Sequence, residues 1–219
     1  MQDAELIALW RSYDQKLEEN LRMNRRNAVA ITLIKVKSLV GSMVPMKTFI
    51  IITSSLWIGF LSVVLYRTYS YASPFFWYSI AIHTVLLAVV IGIYGYQVVL
   101  IYQTDLSEAL VTTQHRLASL QSSTLLIARL MFLHAPVWAT FSIQERMFSS
   151  PPWLMVQGLV VFAFVAAALW LFVNITYENR HKKWFQFIFR GKDWDPVIKS
   201  LEMLEEIEKY SSPQPDRRT

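Results

Sequence analysis

Residues 74–102 have the sequence PFFWYSIAIHTVLLAVVIGIYGYQVVLIY, which contains no Asp, Glu, Lys or Arg. A helix of this length exceeds the roughly 20 residues that cross about 30 Å of hydrocarbon. Three further segments, 47–66, 124–143 and 153–177, are also strongly apolar, although Lys47 begins the first of them and Arg129 lies in the second. The sequence therefore predicts an all-α integral membrane protein in which four transmembrane helices form one bundle.

The composition of the 219-residue chain is typical of a small membrane protein. Hydrophobic residues make up 54% of it, which leaves room for a membrane bundle with short appendages and no second large domain. The chain has no cysteine, so disulfides, thiolate metal ligands and cysteine nucleophiles are excluded. The first apolar segment follows a long charged region, and we interpret it as a retained span.

The basic residues lie mainly at the two ends of the chain. The turn after the first span offers only Arg67, and the turn after the third offers only Arg146. Because Lys and Arg accumulate in cytoplasmic flanks, both termini are predicted to be cytoplasmic, which agrees with an even number of spans. The net charge of +5 is then explained by flanks that face anionic membrane lipid, and no direct nucleic-acid partner is predicted.

Residues 1–44 are predicted to form a cytoplasmic amphipathic helix that ends near Gly41 and Pro45. Its apolar side chains recur at steps of three and four residues, which places them on one stripe. The stripe consists of Leu6, Trp10, Tyr13, Leu17, Leu21, Asn24, Ala28 and Ile31, and Asn20 and Asn27 lie beside it.

Residues 45–177 are predicted to form the four-span bundle, built as two hairpins. Ser73 and Ser150 each precede a proline and are predicted to cap the second and fourth spans. A second amphipathic helix, residues 105–122, is expected to extend the third span into the cytoplasm, with Asp105 and Glu108 as a capping box. A stripe of small residues in the second span is expected to allow close helix packing; it comprises Ala81, Ala88, Gly92 and Gly95.

Residues 178–219 are predicted to contain an interfacial segment, a short amphipathic helix that starts at Asp195, and a disordered tail. The aromatic residues of 184–189 suit the membrane surface, and the alternative is a core element folded under the bundle. Three amphipathic helices thus share the cytoplasmic side. Either they pack together, or one of them binds another protein.

His83 and His134 are the notable polar residues inside the spans, and each lies about ten residues from the outer end of its helix. They are predicted to form an intramembrane polar cluster, because similar positions along two spans give a similar depth. The alternative function is a redox membrane protein in which the two histidines bind haem, a metal or a quinone. Otherwise the imidazoles form hydrogen bonds to Tyr94, Gln97 or Gln157. We predict no bound cofactor or metal.

No Asp, Glu or Lys lies in the interior of a span, which argues against an ion-coupled transporter. Arg129 is expected to direct its guanidinium toward the inner headgroups. The sequence contains no phosphate-binding glycine loop, nucleophile elbow or zinc-protease motif. A non-enzymatic protein is therefore predicted.

The N-terminal part of this chain resembles that of small bacterial membrane proteins encoded beside sigma factors of the extracytoplasmic-function type. The resemblance rests on LWRSYDQKL at 9–17, on Leu21, Asn24 and Arg25, and on KVKS at 35–38. The resemblance implies an anti-sigma factor in the bacterial inner membrane that clamps a sigma factor. The implied anchors are Leu6, Trp10, Tyr13, Leu17 and Leu21.

Together these features predict a regulatory or interaction protein that binds a cytoplasmic protein partner, with a sigma factor as the candidate. A structural subunit of a membrane complex remains a further alternative. Homo-oligomer formation is left open.

Overall fold

The structure, a computed structural model, describes residues 2–103, 110–189 and 195–211, and it contains no strand in these ranges. The prediction of an all-helical chain is thereby confirmed. Two short 3-10 turns, Glu145–Ser149 and Tyr177–His181, join some of the helices. The α-helices are α1 (Gln2–Gly41), α2 (Val44–Thr68), α3 (Pro74–Tyr102), α4 (Leu110–Phe132), α5 (His134–Phe141), α6 (Pro151–Asn174), α7 (Lys183–Ile188) and α8 (Asp195–Ser211).

Among the described residues, four helical stretches are long and apolar enough to cross a membrane, as predicted: Glu5–Thr68, which contains α2, then α3, α4 with α5, and α6. Much of their apolar surface faces outward. Leu56 in α2 and Met155 in α6, for example, are 72% and 76% exposed. A soluble monomer rarely exposes so much apolar surface, whereas a protein surrounded by hydrocarbon does so at no cost.

The third apolar stretch is interrupted at Leu133, where α4 ends and α5 begins. Pro136 explains the break. It lacks the backbone N–H that would bond to the carbonyl of Phe132, and its ring crowds that carbonyl. The amide of Leu133 bonds instead to the carbonyl of Leu130, three residues earlier.

The bundle has two ends, which we call the turn end and the tail end. The turn end carries the connections 69–73 and 142–150; the tail end carries α1, the first half of α4, α7 and α8. Between them α3 is central, since it packs against α2, α4 and α5, while α6 packs against α4 and α5. Val90, Tyr94 and Ile127 form the buried core where α3 meets α4.

A second core, the tail cluster, lies at the tail end. Here α8 packs against both α1 and α4. The buried side chains come from α1, α3, α4 and α8 and from the turn between α1 and α2, to which Met43 belongs. They are Leu33, Val36, Val40, Met43, Ile101, Leu117, Leu120, Val197 and Leu204. Of the two alternatives for the amphipathic helices, mutual packing therefore applies to α8, the described part of 105–122, and the C-terminal part of α1.

The segment 184–189 packs beneath α4 and α6. Phe185 is 1% exposed and shares a buried cluster with Leu125 and Ile175. Arg129 completes this region, because its Nε donates a hydrogen bond of 2.9 Å to the carbonyl of Ile175 at the end of α6. A cation there satisfies a terminal carbonyl and complements the helix dipole.

Two local predictions are wrong. Ser73 and Ser150 occupy the positions before α3 and α6, but neither side chain forms a capping hydrogen bond. The Ser73 hydroxyl instead donates to the carbonyl of Ile143 at 3.3 Å, which links the two connections at the turn end. The glycines of the small-residue stripe provide no close approach, since a Cβ added at Gly92 or Gly95 meets open space.

Other predictions fall on residues outside the described ranges. They are the capping box of Asp105 and Glu108, the first part of the helical extension 105–122, and the tail beyond residue 211.

Candidate functional site

The N-terminal half of α1 exposes a row of large apolar side chains, which we call the α1 stripe. Its five predicted partner-binding residues are Leu6, Trp10, Tyr13, Leu17 and Leu21, with exposed fractions of 58%, 63%, 64%, 58% and 60%. The C-terminal half of the same helix is different, because Val36 and Val40 are buried in the tail cluster. One helix thus combines a packed half with an uncovered half.

The α1 stripe offers contact area and no reactive chemistry. Leu, Trp and Tyr at three- and four-residue spacing form the kind of surface that docks into an apolar groove of another protein. Each large side chain buried on binding removes apolar area from water, worth roughly 1.5–3 kcal/mol. The stripe is therefore a candidate binding surface.

The two histidines lie side by side, although they come from different helices. The ring centroids of His83 in α3 and His134 in α5 are 4.7 Å apart, in an edge-to-face arrangement. His134 is 6% exposed, and its Nδ1 lies 3.1 Å from the carbonyl of Leu130. His83 Nδ1 and His134 Nε2 are buried and have no hydrogen-bond partner among the residues that the structure describes.

None of the three proposed hydrogen-bond partners contacts these imidazoles through a hydrogen bond. Gln97 bonds elsewhere, as described below, and Gln157 donates to the carbonyl of Ala139 at 2.7 Å. Tyr94 lies beneath the Lys47 ammonium group, which is 5.0 Å from the centre of its ring. Within the described ranges, no group of three or more His, Cys, Asp or Glu side chains could hold a metal ion.

An apolar groove adjoins His83 at the turn end, between α2, α3 and α5. Its volume is about 280 Å³. Aromatic rings make up much of its wall, and Trp138 contacts His83 edge-to-face, with ring centroids 5.5 Å apart. The lining residues include Trp57, Phe60, Val64, Phe76, His83, Trp138 and Phe141.

A buried polar network near the tail end was not predicted from the sequence. Lys47 and Gln97 are both completely buried. The Lys47 ammonium donates to Gln97 Oε1 at 2.7 Å. Gln97 Nε2 then donates to Ser123 Oγ at 2.9 Å and to Thr124 Oγ1 at 3.2 Å. The network joins α2, α3 and α4.

The sequence did contain a signal for this network. Lys47 starts the first apolar segment, and Gln97 interrupts the apolar run of α3. A lysine in apolar surroundings is costly unless its ammonium is hydrogen-bonded, so its position indicates an amide or carboxylate partner. The two residues lie 50 positions apart, and no periodicity within one helix pairs them.

No family model, curated protein or solved structure matches this chain.

Proposed function

We propose that this chain is a non-enzymatic, multi-pass protein of the bacterial inner membrane that binds a cytoplasmic protein through the α1 stripe. The four apolar helices would anchor it, and the basic ends support a cytoplasmic position for α1. The single observation that carries the proposal is the exposure of Leu6, Trp10, Tyr13, Leu17 and Leu21 on one helix face.

The packing of the tail end supports this assignment of the binding surface. Leu117 and Leu120 of α4 and Val197 and Leu204 of α8 are already covered in the tail cluster. These side chains are committed to internal packing, whereas those of the α1 stripe are exposed. A partner that covers the stripe would bury anchors rich in Trp, Tyr and Leu, of which Trp and Tyr are common at energetically important interface positions.

The resemblance described above names the partner class. A sigma factor of the extracytoplasmic-function type would be held at the membrane by a helix that enters one of its apolar grooves. Such binding keeps the sigma factor from RNA polymerase. A change in the membrane bundle would release it.

The test uses the full-length protein in lipid nanodiscs and purified candidate sigma factors from the same organism. Leu17→Asp places a charge in the α1 stripe, and Gln15→Asp places the same charge on the opposite face of the helix. We expect Leu17→Asp to weaken binding at least about tenfold, which corresponds to a loss of about 1.4 kcal/mol of binding free energy. Gln15→Asp should leave the affinity unchanged within about twofold.

Trp10→Ala provides a second variant, with an expected loss comparable to that of Leu17→Asp. Equal binding by the wild type, Leu17→Asp and Gln15→Asp would show that the stripe is not the contact surface. If no sigma factor binds and the stripe instead joins two copies of the chain, light scattering will detect a dimer, and the proposed partner class is wrong.

A further inference from the structure

Arg129 lies half-buried toward the tail end, where α4 passes the end of α6. Its Nε donates to the carbonyl of Ile175, and its Cζ lies 5.9 Å from the centre of the Phe172 ring. A guanidinium group has five N–H donors, and this hydrogen bond uses one of them. The two terminal nitrogens form no hydrogen bond with the described residues, and neither is a buried atom. Arg129 therefore offers unused donors at a position that its contact with Ile175 fixes.

The segment after α6 adds further positive charge to this region. Tyr177 packs in the same cluster as Ala128 and Phe132, which flank Arg129 in α4. The Arg180 guanidinium lies 4.0 Å from the centre of the Tyr177 ring. Residues 176–189 also contain the exposed Lys182 and Lys183, against a single acidic residue, Glu178. Because cations are in excess here, the ligand that fits is an anion with oxygen acceptors.

Exposed apolar side chains flank these cations. Trp170 in α6 is 52% exposed, and its ring centroid is 5.2 Å from that of Trp184. Phe187 in α7 is 84% exposed, whereas Phe185 of the same helix is buried. Trp and exposed Phe beside Lys and Arg are typical of the boundary between hydrocarbon and lipid headgroups. This surface provides contacts for acyl chains, which a free phosphate ion does not have.

We propose that the tail end binds an anionic phospholipid whose headgroup phosphate accepts hydrogen bonds from the terminal nitrogens of Arg129. The planar guanidinium matches two phosphate oxygens with parallel N–H bonds. Lys182 and Lys183 attract the net negative headgroup, and the acyl chains lie along α6 beside Trp170. A zwitterionic headgroup gains nothing from the lysines, because its own cation opposes them. This site depends on the proposed membrane position of the tail end and not on the α1 stripe.

The test titrates purified full-length protein in detergent with phosphatidylglycerol or with phosphatidylcholine of the same acyl chains. Native mass spectrometry measures the fraction of protein that retains a lipid. Arg129→Gln removes a charge from the site, and Arg67→Gln removes the same charge from the end of α2, at the turn end. We expect Arg129→Gln to weaken phosphatidylglycerol binding at least about tenfold, whereas Arg67→Gln should stay within about twofold of the wild type.

A second variant separates lipid binding from packing, because Arg129→Gln also removes the hydrogen bond to Ile175. Lys182 and Lys183 are exposed, so replacing both by Gln leaves the packing intact. This double variant should bind phosphatidylglycerol at least about fivefold more weakly, since one basic residue near an anionic lipid is worth about 1 kcal/mol. Its affinity for phosphatidylcholine should change less than about twofold.

Three results would overturn the proposal. Equal losses in Arg129→Gln and Arg67→Gln would show that net charge alone attracts the lipid. Equal affinity of the wild type for the two lipids would show that no anionic headgroup is selected. Displacement of phosphatidylglycerol by an equal concentration of inorganic phosphate would show an anion site that does not require a lipid. Binding of the protein partner is measured separately, so failure of the lipid site leaves the proposed function of the α1 stripe standing.

Discussion

Lys47 and Gln97 make a specific contribution at the scale of single residues. Gln97→Leu removes an acceptor from the buried Lys47 ammonium group and leaves the rest of α3 unchanged. A hydrogen bond to a charged group is worth about 1.5–3 kcal/mol, so we expect the free energy of unfolding to fall by about that amount. Unfolding of the purified protein in mixed micelles of increasing SDS content measures it.

A double-mutant cycle separates this hydrogen bond from general packing. If the two side chains are coupled, Gln97→Leu costs clearly less in a Lys47→Met background than in the wild type. Equal costs in both backgrounds would contradict the assigned interaction. Gln157→Leu is a useful reference, because Gln157 bonds only to Ala139 and Ser142 and contacts no cation in the described part of the chain.

At the scale of helices, the sequence predicted most of the elements and few of their contacts. The bounds of α3 coincide with the apolar segment 74–102, since Pro74 fixes its start and polar residues follow its end. The helix break at Leu133 was not predicted, because the apolar pattern continues through Pro136. His83 and His134 were placed at similar depth by counting residues, whereas the Lys47–Gln97 contact needed the packing of two helices.

The packing of α8 against α1 and α4 can be tested by mutation at the scale of helices. Leu204 is 1% exposed in the tail cluster, and its neighbour Glu205 is exposed. Leu204→Ala removes buried methyl groups at a cost of about 2–5 kcal/mol, so α8 should detach more often and uncover residues 33–40 of α1. Hydrogen–deuterium exchange should be faster there in Leu204→Ala and unchanged in Glu205→Ala. Equal exchange in both variants would show that α8 does not cover α1.

At the scale of the whole molecule, the arrangement of the helices separates two regions. The tail end holds the covered faces of α1, α4 and α8 together with the uncovered α1 stripe. The turn end holds the groove and the two histidines. The Lys47–Gln97 network lies between them and joins α2, α3 and α4. The helix α3 connects the two ends, since it lines the groove and contributes Ile101 to the tail cluster.

The orientation of the whole molecule is the last prediction. The basic ends should keep both termini in the cytoplasm, so the turn end faces outward. Because the chain has no cysteine, single cysteines label without background. We expect a membrane-impermeant maleimide to label Ser70→Cys and Ser149→Cys in intact cells, and Gln15→Cys only after permeabilisation. The reverse pattern would place the α1 stripe outside the cell, where no sigma factor can reach it.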